Sequence, residues 1–250
     1  MEKVSLILTT YNCKENLKKT LESIKIQDYP NLEVVIKDGG STDGTLEVIR
    51  KYEGQMIHPI VWESTKDQGI YDAMNQGYEM SGGDILAFFN DVFLEKDAVS
   101  SMVAQLLKEE ENNKRRMAGV HADLVYAEGD KIVRTWKMGR GSIRQGWMPG
   151  HPTLYLRREI YETYGLYRTD LKISADYEFM IRVLKHKENE LAYLPRTIIS
   201  MFYGGTSNEG LGSYLQSLKE GHQALKMNGI RNAWLIDGLR TLRILKQFVR

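Results

Sequence analysis

Acids follow apolar runs at several points in this sequence, and glycine, hydroxyl or amide side chains stand beside them each time. Asp38 ends Leu32-Glu33-Val34-Val35-Ile36-Lys37 and opens Gly39-Gly40-Ser41-Thr42-Asp43-Gly44-Thr45. A buried strand that turns through glycine into a helix capped by Ser, Thr or Asp sets carboxylates and open backbone N–H groups at the mouth of a sheet. There Asp38 can accept from a base N–H or a ribose hydroxyl, or close a local Asx turn, and the two roles can coexist. Thr9-Thr10-Tyr11-Asn12 offers hydroxyls and a ring suited to a base or ribose, with capping of the first helix as the plain role of Asn12. The most distinctive string is Asp67-Gln68-Gly69-Ile70-Tyr71-Asp72-Ala73-Met74-Asn75-Gln76-Gly77. Asp67 and Gly69 sit where a helix opens, while Asp72 and Asn75, three apart, share a helix face that points either at a ligand or at solvent as a polar stripe.

Two further acids complete the set. Asn90-Asp91 follows Ile85-Leu86-Ala87-Phe88-Phe89. A carboxylate at that edge can hold Mg²⁺ or Mn²⁺ against two phosphates, because these ions take oxygen ligands and share them with phosphate; the plain alternative is a cap on the next turn. In Ser174-Ala175-Asp176-Tyr177-Glu178, Asp176 stands at a helix start, where the dipole favours an ionised carboxylate. It can act as a general base or as an N-cap, and Glu178 is expected to face solvent.

These groups need a scaffold that gathers strand ends. Apolar runs at Val4 to Thr10, Leu32 to Lys37, Pro59 to Trp62 and Ile85 to Phe89 alternate with helical patterns at Lys14 to Ile26, Thr45 to Tyr52 and Ile70 to Met80. Strand alternating with helix predicts a mostly parallel, doubly wound α/β sheet. Downstream, Val120 to Tyr126 and Lys131 to Trp136 flank Glu128-Gly129-Asp130 and predict a hairpin. His151 to Leu156, Leu191 to Leu194 and Ile198 to Phe202 read as strands, with helices at Ala98 to Glu111, Arg157 to Tyr164 and Asp176 to Lys187. Met138 to Gly150 carries four glycines without any period and reads as a mobile loop, in which Arg140, Arg144 and Trp147 can supply charge and a stacking surface to a sugar or phosphate.

Composition narrows the classes. A net charge of +1 gives no global signature of a nucleic-acid binder, and 42% hydrophobic residues leave ample core. One cysteine, Cys13, excludes an internal disulfide and a thiolate zinc cluster and fits a reducing compartment. No apolar stretch approaches the roughly 18 residues of a membrane span, and Val4 to Leu8 is too short for a signal core.

Taken together, Val4 to Asn12, Lys37 to Thr45, Asp67 to Gly77, Ala175-Asp176-Tyr177-Glu178 and Gly204-Gly205-Thr206-Ser207 resemble family 2 glycosyltransferases of the GT-A fold. More narrowly they resemble the bacterial branch that builds capsular and colanic-acid-type exopolysaccharide. The resemblance implies a Rossmann-like nucleotide-binding domain over 1–207, a mostly parallel mixed sheet flanked by helices, and a C-terminal helical extension over 208–250. It implies a hexosyl or deoxyhexosyl transferase that inverts the anomeric centre, taking sugar from a nucleotide-sugar donor, most commonly UDP-linked, to a hydroxyl of a lipid-linked saccharide acceptor. Thr9, Tyr11 and Asp38 then match nucleoside-holding positions with Asp67 beside them, and Asn12, Gly39, Gly69, Asp72, Asn75 and Asn90 join them as donor-site residues. Asp176 matches the base. Asp91 falls where the family keeps the last acid of its metal motif and implies Mn²⁺ or Mg²⁺. Here the sequence departs from the pattern: Asn90 adjoins Asp91 directly, where relatives have one or two residues between. Either a distant group such as His151 completes the metal site or metal dependence is weak; His151 reads equally as an acceptor-site or a packed strand residue.

Two rivals stand beside this reading. A Rossmann oxidoreductase lacks its Gly-x-Gly-x-x-Gly after the first strand. A catalytically weak or inactive sugar-nucleotide-binding partner subunit is motivated by the shortened metal motif. The tail from Ala233 sets Arg240, Arg243, Lys246 and Arg250 at helical spacing opposite Leu235, Leu239, Leu242 and Phe248. A basic amphipathic helix with Trp234 near one end can lie on an anionic membrane surface, or pack on the domain or on a second subunit in a homodimer. The expected location is the cytoplasm, peripheral on the inner face of the cytoplasmic membrane.

Overall fold

Val4–Thr10 (β1) is apolar on both faces because a parallel strand lies on each side of it: Leu32–Asp38 (β2) and Ile85–Phe88 (β4). Such strands read as continuous hydrophobic runs, since helices cover both faces. The computed structural model describes residues 1–129, 131–202 and 210–247, so Asp130 of the hairpin turn, the Gly204-Gly205-Thr206-Ser207 motif, Phe248 and Arg250 lie outside the described residues. Beyond β2 comes the parallel edge strand Ile60–Ser64 (β3). On the other side of β4 the sheet becomes mixed. Tyr155–Arg157 (β8) pairs antiparallel with β4, followed by Gly119–Glu128 (β6), Leu191–Phe202 (β9) and the short Val92–Phe93 (β5). Lys131–Trp136 (β7) forms the expected hairpin with β6.

Alternate residues of β1 serve two layers. Leu6 and Leu8 pack against Lys14–Lys25 (α1), Thr45–Glu53 (α2) and Ala98–Asn113 (α4). Ile7 packs in the layer of Ile70–Met80 (α3), Arg158–Tyr164 (α5) and Ala175–Lys187 (α6), which Gly210–Met227 (α7) and Ala233–Lys246 (α8) extend. Parallel register then levels the strand ends: Thr10 pairs with Asp38, Asp38 with Ser64 and Ile7 with Phe88. The loops after β1, β2, β3 and β4 therefore meet at one rim, as in open α/β sheets that bind ligands at a switch in strand order.

Three expectations change. The strands expected at 191–194 and 198–202 are one strand, β9; its register jumps from Ala122↔Leu194 to Asp123↔Thr197, so Pro195 and Arg196 bulge out instead of breaking it. The strand expected from His151 begins as a 3₁₀ turn, His151–Thr153, ahead of β8. The Met138 to Gly150 segment is packed: Ile143 and Trp147 are buried, and a 3₁₀ turn spans Ile143–Gln145. A Cβ on Gly146, at φ +69°, would lie 2.6 Å from the Arg240 backbone nitrogen, so this glycine lets α8 close onto the turn.

Candidate active site

At the rim, Asp38 is wholly buried and its carboxylate accepts five hydrogen bonds: from the Thr10, Ser41 and Ser64 hydroxyls and the Gly40 and Ser41 N–H groups, at 2.5–2.9 Å. Burial pushes this carboxyl up, but the Ser41, Ser64 and Thr10 donors outweigh it and hold it below the ordinary aspartate value. Asp38 thus organises the glycine loop, the local role that the sequence allowed beside a nucleoside contact. Asn12, at φ 46°, ties the first loop to the second: its N–H donates to the Ser41 hydroxyl and its Oδ1 accepts from the Thr42 N–H at 2.8 Å. It makes no cap on α1, whose N-cap position is Cys13. Thr9 and Asn90 pair across the ends of β1 and β4 through two hydrogen bonds of 3.1 Å.

What remains open at the rim is a smaller group. Tyr11 is two-thirds exposed. A Cβ on Gly39 would lie 2.6 Å from Asp67 Oδ2 and 3.4 Å from the Tyr11 ring, so the absent side chain lets an aromatic face and a carboxylate flank bare backbone. Asp67 is fixed by the Gly69 N–H on its other oxygen, 2.9 Å, at the exposed opening of α3. That arrangement suits a planar base and a ribose hydroxyl. The other two polar residues of the string turn elsewhere. Asp72 caps α3 by accepting from the Gln68 N–H and the Gln76 amide. Asn75 pairs with both backbone groups of Tyr167, at 2.9 and 3.0 Å. Both side chains are thus engaged within the fold.

Asp176 lies in the first turn of α6, with Ser174 rather than Asp176 at the N-cap position. The Tyr71 hydroxyl sits 3.0 Å from Asp176 Oδ1 and 2.6 Å from the Ile173 carbonyl. Tyr71 belongs to α3, so the helix that opens at the rim also holds the acid; burial, then the Asp176 charge, raises the phenol well above its ordinary value. On the opposite side, the buried Glu220 of α7 accepts from the backbone N–H groups of Lys172, Ile173 and Ser174 at 2.9–3.2 Å. Burial pushes Glu220 up, but the Gln216 amide and those N–H groups prevail and hold it below the ordinary glutamate value. Sequence reasoning missed Glu220; its signal is an acid on the same helical face as Ala224. Glu178, expected in solvent, is buried and paired with Arg182, and accepts from Asn228 at 3.0 Å.

Asp176 also lines a cavity of about 840 Å³, bounded by β7, Trp147, His151, Tyr177 and α8. Of the three loop residues expected here, Trp147 alone contributes, its indole N–H donating to the Met138 carbonyl at 3.0 Å. Arg140 turns away to Glu109 and the Leu191 carbonyl, and Arg144 is exposed outside the lining. Arg240 and Arg243, expected on a membrane-facing side, instead face the domain. The Arg240 guanidinium stacks over Tyr177 at 4.1 Å and Arg243 donates to the Gln145 carbonyl at 2.9 Å.

The residues do not fit a divalent ion. Asp91 is buried and accepts from the Phe202 N–H at 3.2 Å; desolvation pushes it up to about 7, against the lowering effect of that N–H. The His151 ring shares its Nε2 with the Tyr167 hydroxyl at 2.9 Å, and burial holds it below its ordinary value while the Asp176 charge pulls the other way. Among the described residues, no three His, Cys, Asp or Glu side chains converge on a common point.

The family model described as "Glycosyl transferase family 2" matches residues 5–166. A "PGL/p-HBAD biosynthesis glycosyltransferase" of Mycobacterium bovis (strain BCG / Pasteur 1173P2) is 29% identical over 215 residues, 82% of this chain and 78% of that protein. A "Dolichyl N-acetyl-alpha-D-glucosaminyl phosphate 3-beta-D-2,3-diacetamido-2,3-dideoxy-beta-D-glucuronosyltransferase" of Methanococcus voltae is 28% identical over 225 residues, 83% and 68% of the two chains. Among solved structures, S. aureus TarS 1–349 in complex with UDP-GlcNAc superposes with TM-score 0.71 at 17% identity, covering 98% of this chain and 72% of that one. The mannosyltransferase PcManGT from Pyrobaculum calidifontis, in complex with GDP-Man and Mn²⁺, gives 0.66 at 17%, covering 98% and 74%. The two structural likenesses bear on the fold.

Proposed function

Because the chain belongs to glycosyl transferase family 2, we propose that it is an inverting glycosyltransferase that moves a sugar from a nucleotide donor, UDP-linked in the first instance, to a hydroxyl of a lipid-linked saccharide during glycan assembly. One observation carries this reading: the half-buried Asp176 carboxylate borders the cavity and is hydrogen-bonded by Tyr71 from the helix that opens at the rim. A nucleoside held by Tyr11, Gly39 and Asp67 directs its sugar toward that acid, and an acceptor in the cavity brings its hydroxyl from the other side. Asp176 takes the hydroxyl proton, the freed oxygen attacks C1, and the C1–O bond to the diphosphate breaks on the opposite face, so the configuration inverts. No step is routed through a metal, since Asp91 and His151 do not fit one. One relative's name supports the acceptor class, as it names a dolichyl phosphate-linked sugar.

The division into a catalytic domain, 1–207, and an extension, 208–250, stands as part of this proposal, with Glu220 making the extension a support of the base. No described helix is long and apolar enough to cross a membrane. With Arg240 and Arg243 facing the domain, we assign the approach to the bilayer to the exposed Trp234, Leu235 and Leu242 of α8. The reading is tested by thermal shift with UDP-, GDP- and dTDP-sugars followed by NMR of the product made from the stabilising donor. Stabilisation by one nucleotide class and a product of inverted anomeric configuration are expected. Retention of configuration would contradict the mechanism, and binding without any turnover would favour the inactive partner subunit that the poor metal fit also favours.

A further inference from the structure

The cavity beyond Asp176 has a chemical character that the base alone does not call for. Its described lining includes Lys137 on the β7 side and Arg240 and Arg243 on α8, and one carboxylate, Asp176. Among the described residues no acid pairs with Arg240 or Arg243. Arg240 is held by the Tyr177 ring and lies against Gly221, where a Cβ would sit 2.7 Å from its terminal nitrogen; Arg243 is anchored by one carbonyl. Guanidinium groups held by rings and carbonyls are pre-organised and still positively charged, and the planar fork of Arg matches the oxygens of phosphate. Trp136, Trp147 and Tyr177 also line the space and offer apolar surface to sugar rings. At about 840 Å³ the cavity is near the upper end of small-molecule sites, roughly 300–1,000 Å³, with room for more than one ring.

We propose that the α8 end of this cavity is a phosphate subsite of the acceptor: Arg240 and Arg243 take the phosphate or diphosphate to which the acceptor saccharide is joined, while its reacting hydroxyl lies at Asp176. This rests on the reading of Asp176 as the base. Tyr177 links the two ends, since its neighbour in sequence is the base and its ring carries the Arg240 guanidinium. The subsite makes α8 a selectivity element: a neutral glycoside of the same sugar loses the phosphate contacts and keeps only the stacking surface.

The test uses UDP-saturated protein, so that the rim is filled, and follows binding by titration calorimetry for the soluble probe and by co-sedimentation for the vesicles. Three probes are added in turn: inorganic pyrophosphate, a prenyl diphosphate in phosphatidylcholine vesicles, and phosphatidylglycerol vesicles without diphosphate. Saturable responses to the first two are expected, each weakened about tenfold in Arg243→Ala and in Arg240→Gln, with UDP affinity unchanged in both variants; Arg243→Ala leaves the Tyr177 packing intact and serves if Arg240→Gln unfolds. A pyrophosphate response that survives both substitutions, or one that disappears when UDP is added, overturns the subsite. So does arginine-dependent binding to phosphatidylglycerol vesicles without any response to pyrophosphate, which would make the arginines a membrane contact. Failure of UDP itself to bind would strike at the glycosyltransferase reading instead, and is seen separately in the first titration.

Discussion

At the rim, Asp38 gathers five hydrogen bonds from two strand ends and the glycine loop, whereas in the cavity Arg240 and Arg243 pair with no acid among the described residues. The rim comes from four consecutive strand ends, and most of its polar side chains close loops or clamp neighbouring backbone. The cavity is assembled from β7, Trp147, His151, α6 and α8, which are far apart in the chain, and its walls mix aromatic rings with basic side chains. Polar residues that build a loop cannot also vary with the ligand. On the proposed function, specificity for the nucleotide would rest on few groups, Tyr11, Gly39 and Asp67, and specificity for the acceptor on the cavity walls.

The sharpest way to break this contrast is Asp38→Ala. Five donors lose their acceptor in a buried site, and the expected cost is about 4–5 kcal/mol in a denaturant titration, with donor binding lost alongside. A loss of donor affinity at unchanged stability would mean that Asp38 contacts the nucleoside after all.

Asp91 gives the opposite sign and a smaller effect. Its folded pKa is about 7, above the unfolded value near 4. The folded state therefore holds a proton between those values that the unfolded state has released. The contribution of Asp91 to stability is greatest below about pH 4, falls as pH rises through this window, and levels off above 7. Asp91→Asn removes that decline, so the variant should be more stable than the parent at pH 8 by no more than about 4 kcal/mol, the gap closing toward pH 4. A destabilised variant at pH 8 would show instead that the ionised carboxylate is bound there, as a metal would require.

Much of this was readable beforehand, for reasons that also explain what was not. Continuous apolar runs such as Val4 to Leu8 mark central parallel strands whatever their partners, and the glycine loop after Ile36 marks a rim. Side-chain direction is a different matter: the sequence shows Asp38 and Asn75 beside a ligand loop but not that both turn inward, because hydrogen-bond partners such as Ser64 and Tyr167 come from elsewhere in the chain. Glycines carry the same ambiguity. Those of Met138 to Gly150 suggest mobility, whereas Gly146 is there so that α8 can approach. Likewise the basic spacing of α8 predicts an amphipathic helix correctly while leaving open which partner its arginines face.

The two regions meet at Asp176, and the central claim is that this carboxylate serves chemistry while contributing nothing to donor binding. Single-turnover transfer by Asp176→Asn, measured beside the dissociation constant for the sugar nucleotide, tests it most directly. The expected result is a rate lower by about 10²–10⁴-fold, the usual contribution of a positioned general base, with donor affinity within twofold of the parent. Near-parental transfer, or a loss accounted for by weaker donor binding, would contradict the account.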